Sequence, residues 1–492
     1  MPLAEHKQQR ARTKIVATVG PACADEARLA DLVAAGVDVF RLNLAHATRE
    51  AHDASVAKIR RVSHHADRPV AILADLAGPK MRLNELPGGQ IALALGDHVR
   101  FVRGELSDVP GELTTTYEPL VDELDAGDNV LLADGTIVLS VVEKDARSAL
   151  CRVTQGGLLR SRQGVNLPGV KLSAPAMSAD DREFAVWATK RDLDFVSLSF
   201  VRSPKEVCEL KELVAASGGT ARVIAKIEKR EALDQLDAIV EAADGIMVAR
   251  GDLGVEVDVA TIALEQKRII AACHRLGKPV ITATQMLDSM QHQLRPTRAE
   301  ATDVANAILD GTDACMLSGE TAIGEYPRET VEMMNRIMLA TEAMLDSGAR
   351  HGTGPVFNKL AGCAAGASGV HPITAAVVAS AARMAETLGA KLVAVRSRTG
   401  ATALALSKQR GLVPTVGISD VPAVLRQMCL YWGVIPLWTA PIEHDSLIKY
   451  LDWWGRRDGT LAVGDRVVIV GGNYLVSGSH NIVEVHEVVD QT

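Results

Sequence analysis

Aromatic residues are scarce in this 492-residue chain: Phe, Trp and Tyr make up 3% of it, although 47% of its residues are hydrophobic. Its cores must therefore be built from Ala, Val, Leu and Ile. No apolar run approaches the ~20 residues that a membrane helix needs. The polar start MPLAEHKQQRARTK has no apolar h-region, so neither a membrane span nor a signal peptide is expected. No basic tract stands out, and a net charge of −8 argues against a nucleic-acid partner. Cysteine is also sparse, with seven residues at 23, 151, 208, 273, 315, 363 and 429. No two have Cys-x-x-Cys spacing, and the odd number argues against a disulfide framework. Free thiols in a reducing compartment follow, and with them a cytoplasmic protein. A Walker-type phosphate loop is missing, as is a Gly-x-Gly-x-x-Gly after a strand, so a nucleotide would not be held in those ways.

What is present is long enough for two to four domains. Over residues 13–75, short Val- and Ile-rich runs alternate with helical stretches, predicting strands at 13–19, 37–44 and 69–75 with helices near 26–35 and 50–64. Continuous apolar runs of this length suit strands buried on both faces of a parallel sheet. Between 84 and 176 the texture changes to dense turn signals and weak helical periodicity. The segment NVLLADGTIVLSVV at 129–142 reads as a hairpin around Asp134-Gly135. A small all-β insertion is expected there. Alternation resumes at a capping-box signal, Ser178-Ala-Asp-Asp181, and continues through predicted strands at 195–200, 223–228, 245–249, 279–284 and 314–318. A second such signal, Thr297-Arg-Ala-Glu300, opens a helix between the last two. Three strands before the insertion and five after it give the eight units of a TIM barrel. The expected fold class is thus α/β: a (β/α)8 barrel over 1–83 and 177–350, an inserted β lid over 84–176, a Gly- and Ala-rich linker at 351–371, and a C-terminal α/β domain over 372–492.

Catalytic groups of such barrels lie at the carboxyl ends of the strands. Those ends carry Arg41, Asn43 and His46 after strand two, Asp75, Lys80 and Arg82 after strand three, Lys226 and Glu228 on strand five, Asp252 after strand six, Thr284 after strand seven, and Ser318 and Glu320 after strand eight. Charges there need a reason, because the strand interiors are apolar. Lys226 and Glu228, two apart on a strand, project to one face. They are either a structural ion pair or part of a site. Asp252, on the neighbouring loop, favours the site: two carboxylates without Cys or His suit Mg²⁺ or Mn²⁺. Lys226 is then a fixed positive charge aimed at a transferring phosphoryl group or an enolate. The Gly-rich Arg250-Gly251-Asp252-Leu-Gly254 is either a plain turn or a helix start whose N–H groups bind a carboxylate. Arg41 and Arg82 suit bidentate phosphate contact, with rim salt bridges as the alternative.

Taken together these residues resemble the pyruvate kinase family along almost the whole chain. The resemblance rests on TKIVATVGPA at 13–22, DVFRLNLAH at 38–46, GVNLPGV at 164–170, AKIEKREAL at 225–233, MVARGDLGVE at 247–256, GKPVITATQMLDSM at 277–290, RPTRAEATDVANAILDG at 295–311 and MLSGETAIGEYP at 316–327. It implies transfer of a phosphoryl group from phosphoenolpyruvate to ADP, giving pyruvate and ATP. It implies that Lys226 and Arg41 act on the phosphoryl group and that Glu228 and Asp252 hold the divalent metal. Gly251, Asp252 and Thr284 would contact the substrate. Arg82, His46 and Arg162 would lie toward the nucleotide phosphates, and Thr284, Ser318 and Glu320 would surround the proton delivered to the enolate. A homotetramer is implied as well, and a sugar-phosphate or nucleotide effector on Ser397, Thr399, Gly400 and Thr402, with an ordinary capped βα turn as the alternative there. A barrel lyase working on enolates and a catalytically dead homologue are the rival readings.

The chain departs from the family around the monovalent-cation site. Asn43 and Asp75 are present, but Ala45 and Leu76 replace the usual Ser and Thr, and Lys80 replaces a Glu. The expectation is a vestigial site in which the Lys80 ammonium substitutes for K⁺, so that K⁺ is not required. At the lid, Gln163 replaces a common Lys, leaving Arg162 to reach the nucleotide or the nucleotide to bind more weakly.

Overall fold

The structure, a computed structural model, describes residues 9–133, 135–350, 370–472 and 481–489. Strand one of the barrel, Lys14–Thr18, is buried at every residue, and so is strand three, Ala71–Asp75. With Val39–Asn43 as strand two, the barrel continues through Phe195–Leu198, Arg222–Ile227, Gly245–Ala249, Val280–Ala283 and Ala314–Leu317. All neighbours pair in parallel, and strand eight closes on strand one, Lys14 opposite Ala314. The β-branched content of these segments suits such doubly covered strands. Alternate residues face opposite ways: Ile15, Phe40 and Ile72 pack outward against the helices, whereas Val16, Val39 and Leu73 point into the barrel.

The helices begin where the sequence signals them. Ser178 and Asp181 form a reciprocal capping box on Ala179–Lys190, and Thr297 and Glu300 do so on Arg298–Asp310. The latter helix ends at Gly311, whose φ of 96° is left-handed.

Between strands three and four the chain builds a six-stranded sheet and a two-stranded ribbon, from Gln90–Leu93 to Val165–Asn166. One short helix, Leu120–Glu123, interrupts the all-β expectation. The strands Asn129–Leu132 and Ile137–Lys144 pair antiparallel as a hairpin; Asp134 of the expected turn lies outside the described residues, as does 351–369 of the expected linker.

From Pro372 a five-stranded sheet forms in the order Val434–Pro436, Thr415–Ile418, Leu392–Arg396, Arg466–Gly471, Ile482–Glu487, parallel except for the last strand. This domain docks on the amino ends of the barrel strands. Lys408 lies 2.6 Å and Arg410 3.0 Å from Asp313, just before strand eight. Arg426 lies 2.6 Å from Asp194, just before strand four, which also receives Arg60. Lys14 donates to the carbonyl of Val434 at 2.7 Å and Arg222 to that of Thr399 at 2.6 Å. The barrel interior and Val424, Leu425, Met428 and Tyr431 of the C-terminal domain form one apolar cluster. The opposite, carboxyl-end mouth is left to the site.

Candidate active site

Three strand ends bring two cations onto one carboxylate. Asp75, the last residue of strand three, is buried, and its Oδ2 accepts from Nε and Nη2 of Arg41 at 2.7 and 2.6 Å. Its Oδ1 accepts from the Ser197 hydroxyl at 2.6 Å and lies 3.4 Å from the Lys226 ammonium. Burial alone would raise the pKa of Asp75, but Lys226, Arg41 and the Ser197 hydroxyl hold it down at about 2. Arg41 is braced further by Thr18 Oγ1 at 3.1 Å.

Lys226 has three N–H donors and faces three acceptors. These are Ser199 Oγ at 2.8 Å, Glu228 Oε1 at 2.9 Å and Asp75 Oδ1 at 3.4 Å. Burial works to lower the pKa of this ammonium, and the two carboxylates more than offset it, so Lys226 stays charged. Glu228 is buried at 1% exposure, and its Oε2 accepts from the Phe200 N–H at 2.6 Å. Burial and the Asp252 carboxylate push Glu228 upward, against the pull of Lys226.

These groups line a cleft of about 90 Å³ with Lys80, Asp252, Thr284 and Ser318. Its ionised lining consists of three cations, Arg41, Lys80 and Lys226, and three carboxylates, Asp75, Glu228 and Asp252, so it is formally neutral. A multiply charged anion gains little net attraction there unless a cation comes with it. Glu228 and Asp252 fit that cation. Glu228 Oε1 is buried and has no well-aligned hydrogen bond, although it faces Lys226. The pair is all-oxygen, as a hard divalent ion prefers. Among the described residues no cluster of three or more His, Cys, Asp or Glu side chains forms a metal cage. Most of the coordination sphere would thus belong to substrate and water oxygens.

The loop after strand seven is strained. Thr284 and Gln285 have φ of 66° and 53°, which is unfavourable for any side chain and most of all for the β-branched Thr284. Arg250 holds this turn, donating to the carbonyls of Thr284 at 2.7 Å and Ala283 at 3.2 Å while pairing with Asp303 at 2.6 Å. Thr284 Oγ1 accepts the Gly251 N–H at 2.9 Å and donates to Ala283 O at 2.7 Å. That N–H, expected to meet a substrate carboxylate, is therefore already engaged. The expected helix start is present, as Arg250–Glu256.

A larger cleft of about 530 Å³ runs between barrel and lid, lined by Lys80, Arg82, Arg162, Gln163, Asn166, Arg202, Lys229 and Asp252 among others. It shares Lys80, Phe200 and Asp252 with the first cleft. Arg82 donates to the carbonyl of Arg162 at 3.1 Å, and Arg162 pairs with Glu85 at 2.7 Å.

Several expected residues are placed differently. Glu320 does not line the mouth: it is 1% exposed and accepts from the N–H groups of Ser318 at 2.6 Å and Leu287 at 3.1 Å. It staples the loop instead of facing substrate. His46 is exposed and lines neither cleft; its carbonyl meets Nε2 of His52 at 2.9 Å. Asp75, expected as a vestigial cation ligand, is occupied by Arg41, Ser197 and Lys226. Asn43 Oδ1 accepts from Ala45 N at 3.2 Å, an Asx turn. Of the expected effector residues, Ser397, Gly400 and Thr402 are buried, while Thr399 is exposed and its carbonyl accepts from Arg222 at 2.6 Å. Ser197, Ser199 and Lys229 were not singled out from the sequence, and Arg250 was named only as the start of its Gly-rich motif. Ser197 and Ser199 had a legible signal: two polar residues two apart in an apolar strand share a face.

The barrel and its insertion match the family model described as "Pyruvate kinase, barrel domain" over residues 10–331, and the C-terminal domain matches "Pyruvate kinase, alpha/beta domain" over 375–486. The chain is 40% identical over 487 residues to the pyruvate kinase of Geobacillus stearothermophilus, covering 97% of this chain and 81% of that relative. It is 42% identical over 490 residues to pyruvate kinase 2 of Synechocystis sp., covering 97% and 79%. It is 38% identical over 485 residues to the pyruvate kinase of Bacillus licheniformis, covering 97% and 81%.

Proposed function

We infer that this chain, which belongs to the pyruvate kinase family of phosphotransferases and passes the phosphoryl group of phosphoenolpyruvate to ADP to give pyruvate and ATP, does so at the cleft lined by the ends of strands two to eight. The observation that carries this assignment is the pairing of Arg41 and Lys226 across Asp75 at the carboxyl-end mouth. Arg41 offers its remaining N–H groups to the phosphoryl oxygens. Lys226 stands between phosphoryl and enolate oxygens and stabilises the negative charge that moves from one to the other. Glu228 and Asp252 would hold Mg²⁺ or Mn²⁺, the divalent ion generally used in this family. Bound there it supplies charge neutralisation and orientation of oxygen ligands. Asp252 lines both clefts, so the donor and acceptor phosphates meet beside it.

ADP occupies the larger cleft, with Arg82 and Arg162 toward its phosphates. Thr284 and Ser318 are the hydroxyls facing the enolate side. K⁺ is dispensable: Leu76 is a buried hydrocarbon where the family has a Thr, and the Lys80 ammonium makes no ion pair among the described residues. A homotetrameric, cytoplasmic enzyme belongs to the same proposal, and light scattering tests its assembly. A sugar-phosphate or nucleotide effector at the turn 397–402 would have to uncover Ser397 and Thr402.

The test is a coupled assay of pyruvate formation from phosphoenolpyruvate and ADP, run with and without Mg²⁺ and repeated on Lys226→Met. Pyruvate formation that requires both ADP and Mg²⁺ and is lost in the variant is expected. ADP-independent pyruvate release, or a fully active variant, would overturn the assignment.

A further inference from the structure

Asp75 closes a strand made otherwise of Ala, Ile and Leu, and it is 2% exposed. A lone carboxylate there would be costly, so its partners indicate its task. Two are the cations of the site, and they approach from different sides: Arg41 grips Oδ2 with Nε and Nη2, while Lys226 lies 3.4 Å from Oδ1. Both oxygens are engaged, for Ser197 also holds Oδ1 at 2.6 Å. The neighbouring Ser199 completes the arrangement, donating to the Leu76 carbonyl at 2.7 Å while accepting from Lys226 at 2.8 Å.

We propose that Asp75 is a positioning residue for phosphoryl transfer, an internal anion that presets Arg41 and Lys226 at their working separation before substrate arrives, with Ser197 fixing its rotamer. This rests on the assignment of the cleft to phosphoryl transfer. Two unpaired cations in one cleft would repel each other and turn toward water; one buried carboxylate between them removes both tendencies. The grip leaves donors free. Arg41 engages Asp75 through one edge of its fork and Thr18 through Nη1, and its other N–H groups remain for phosphoryl oxygens. The Lys226–Asp75 contact is the longest of the three at that ammonium, so an incoming oxygen displaces it first.

The variants that test this are Asp75→Asn, which keeps the shape and loses the charge, and Ser197→Ala, which keeps the charge and loses the clamp. Each is checked by circular dichroism. Misplacing a phosphoryl-binding cation by a fraction of an ångström should lower kcat about 100-fold in Asp75→Asn and about 5-fold in Ser197→Ala. By calorimetry in Mg²⁺, phosphoenolpyruvate should bind at least about tenfold more weakly to Asp75→Asn. Oxalate, which carries no phosphoryl group for Arg41 to hold and of the two cations meets only Lys226, still anchored by Ser199 and Glu228, should bind within about threefold of the parent. A role confined to fold stability would weaken both ligands together, and that result overturns the proposal. So does restoration of Asp75→Asn by KCl, which would return Asp75 to cation binding. If Asp75→Asn does not fold, an unchanged kcat in Ser197→Ala overturns it. A parent protein that forms no pyruvate at all would instead overturn the assignment of the cleft.

Discussion

The Lys408 ammonium lies 2.6 Å from the Asp313 carboxylate, with 1% and 0% of the two side chains exposed. One belongs to the C-terminal domain and the other to the amino end of barrel strand eight. Arg410 adds a second donor at 3.0 Å. Together they hold Asp313 below the ordinary carboxylate range, against the upward push of burial. Removing one partner of such a pair leaves a buried charge short of compensation. Lys408→Met should therefore destabilise the protein by about 3 kcal/mol, read as a lower melting temperature. The site is far from this contact, so the folded variant should keep near-parental activity.

Lys226→Met removes the one ammonium that faces both Asp75 and Glu228. The charge developing on the enolate oxygen then loses its fixed counter-charge, and kcat should fall on the order of 1000-fold. Mn²⁺ binding, followed by electron paramagnetic resonance, should persist, since both carboxylates remain.

Removal of divalent ions with EDTA should abolish turnover, and either Mg²⁺ or Mn²⁺ should restore it. Glu228→Gln should raise the Mg²⁺ concentration for half-maximal rate by at least about tenfold. The amide keeps an oxygen but loses the charge, so a Mg²⁺ titration separates this from a general loss of fold.

Lys80 sits where the two clefts meet. In buffer free of Na⁺ and K⁺, adding KCl should change the parental rate by less than about twofold, because a tethered ammonium already supplies the charge. Lys80→Glu should be slow without KCl and recover in part when it is added. A parental rate near zero without K⁺, rescued by KCl, would refute this prediction.

His274 predicts an acid limit to stability. Burial first, then the charges of Arg410 and Lys408, lower its pKa from 6.5 to about 3. Below pH 6.5 the unfolded chain takes up a proton that the folded imidazole refuses until about pH 3. Stability contributed by the neutral ring is therefore complete above 6.5 and is lost as pH falls toward 3, a few kcal/mol at most. His274→Gln should flatten the urea-unfolding free energy against pH across that window.

The catalytic barrel was legible because its strands are short, apolar and regularly spaced, and because charges at their ends break that pattern. Lys226, Glu228 and Asp252 stand out on local grounds alone. The use made of Asp75 and Glu320 was not legible. Both are carboxylates at strand ends, yet one turns to Arg41 and the other to one backbone N–H of its own loop and one of the loop after strand seven. Sequence spacing gives the position of such a residue and not its partner. The docking of the C-terminal domain was hidden for the same reason: Asp194 and Arg426 are 232 residues apart.

The apolar cluster shared by barrel and C-terminal domain means that the second domain acts as a stopper. A barrel severed from it would open onto water as a greasy disc edged by Asp313, bereft of its counter-ions, and by Asp194, left with Arg60 alone. Such a fragment should clump on expression, and the intact chain should melt in a single endotherm, the two domains losing their structure together.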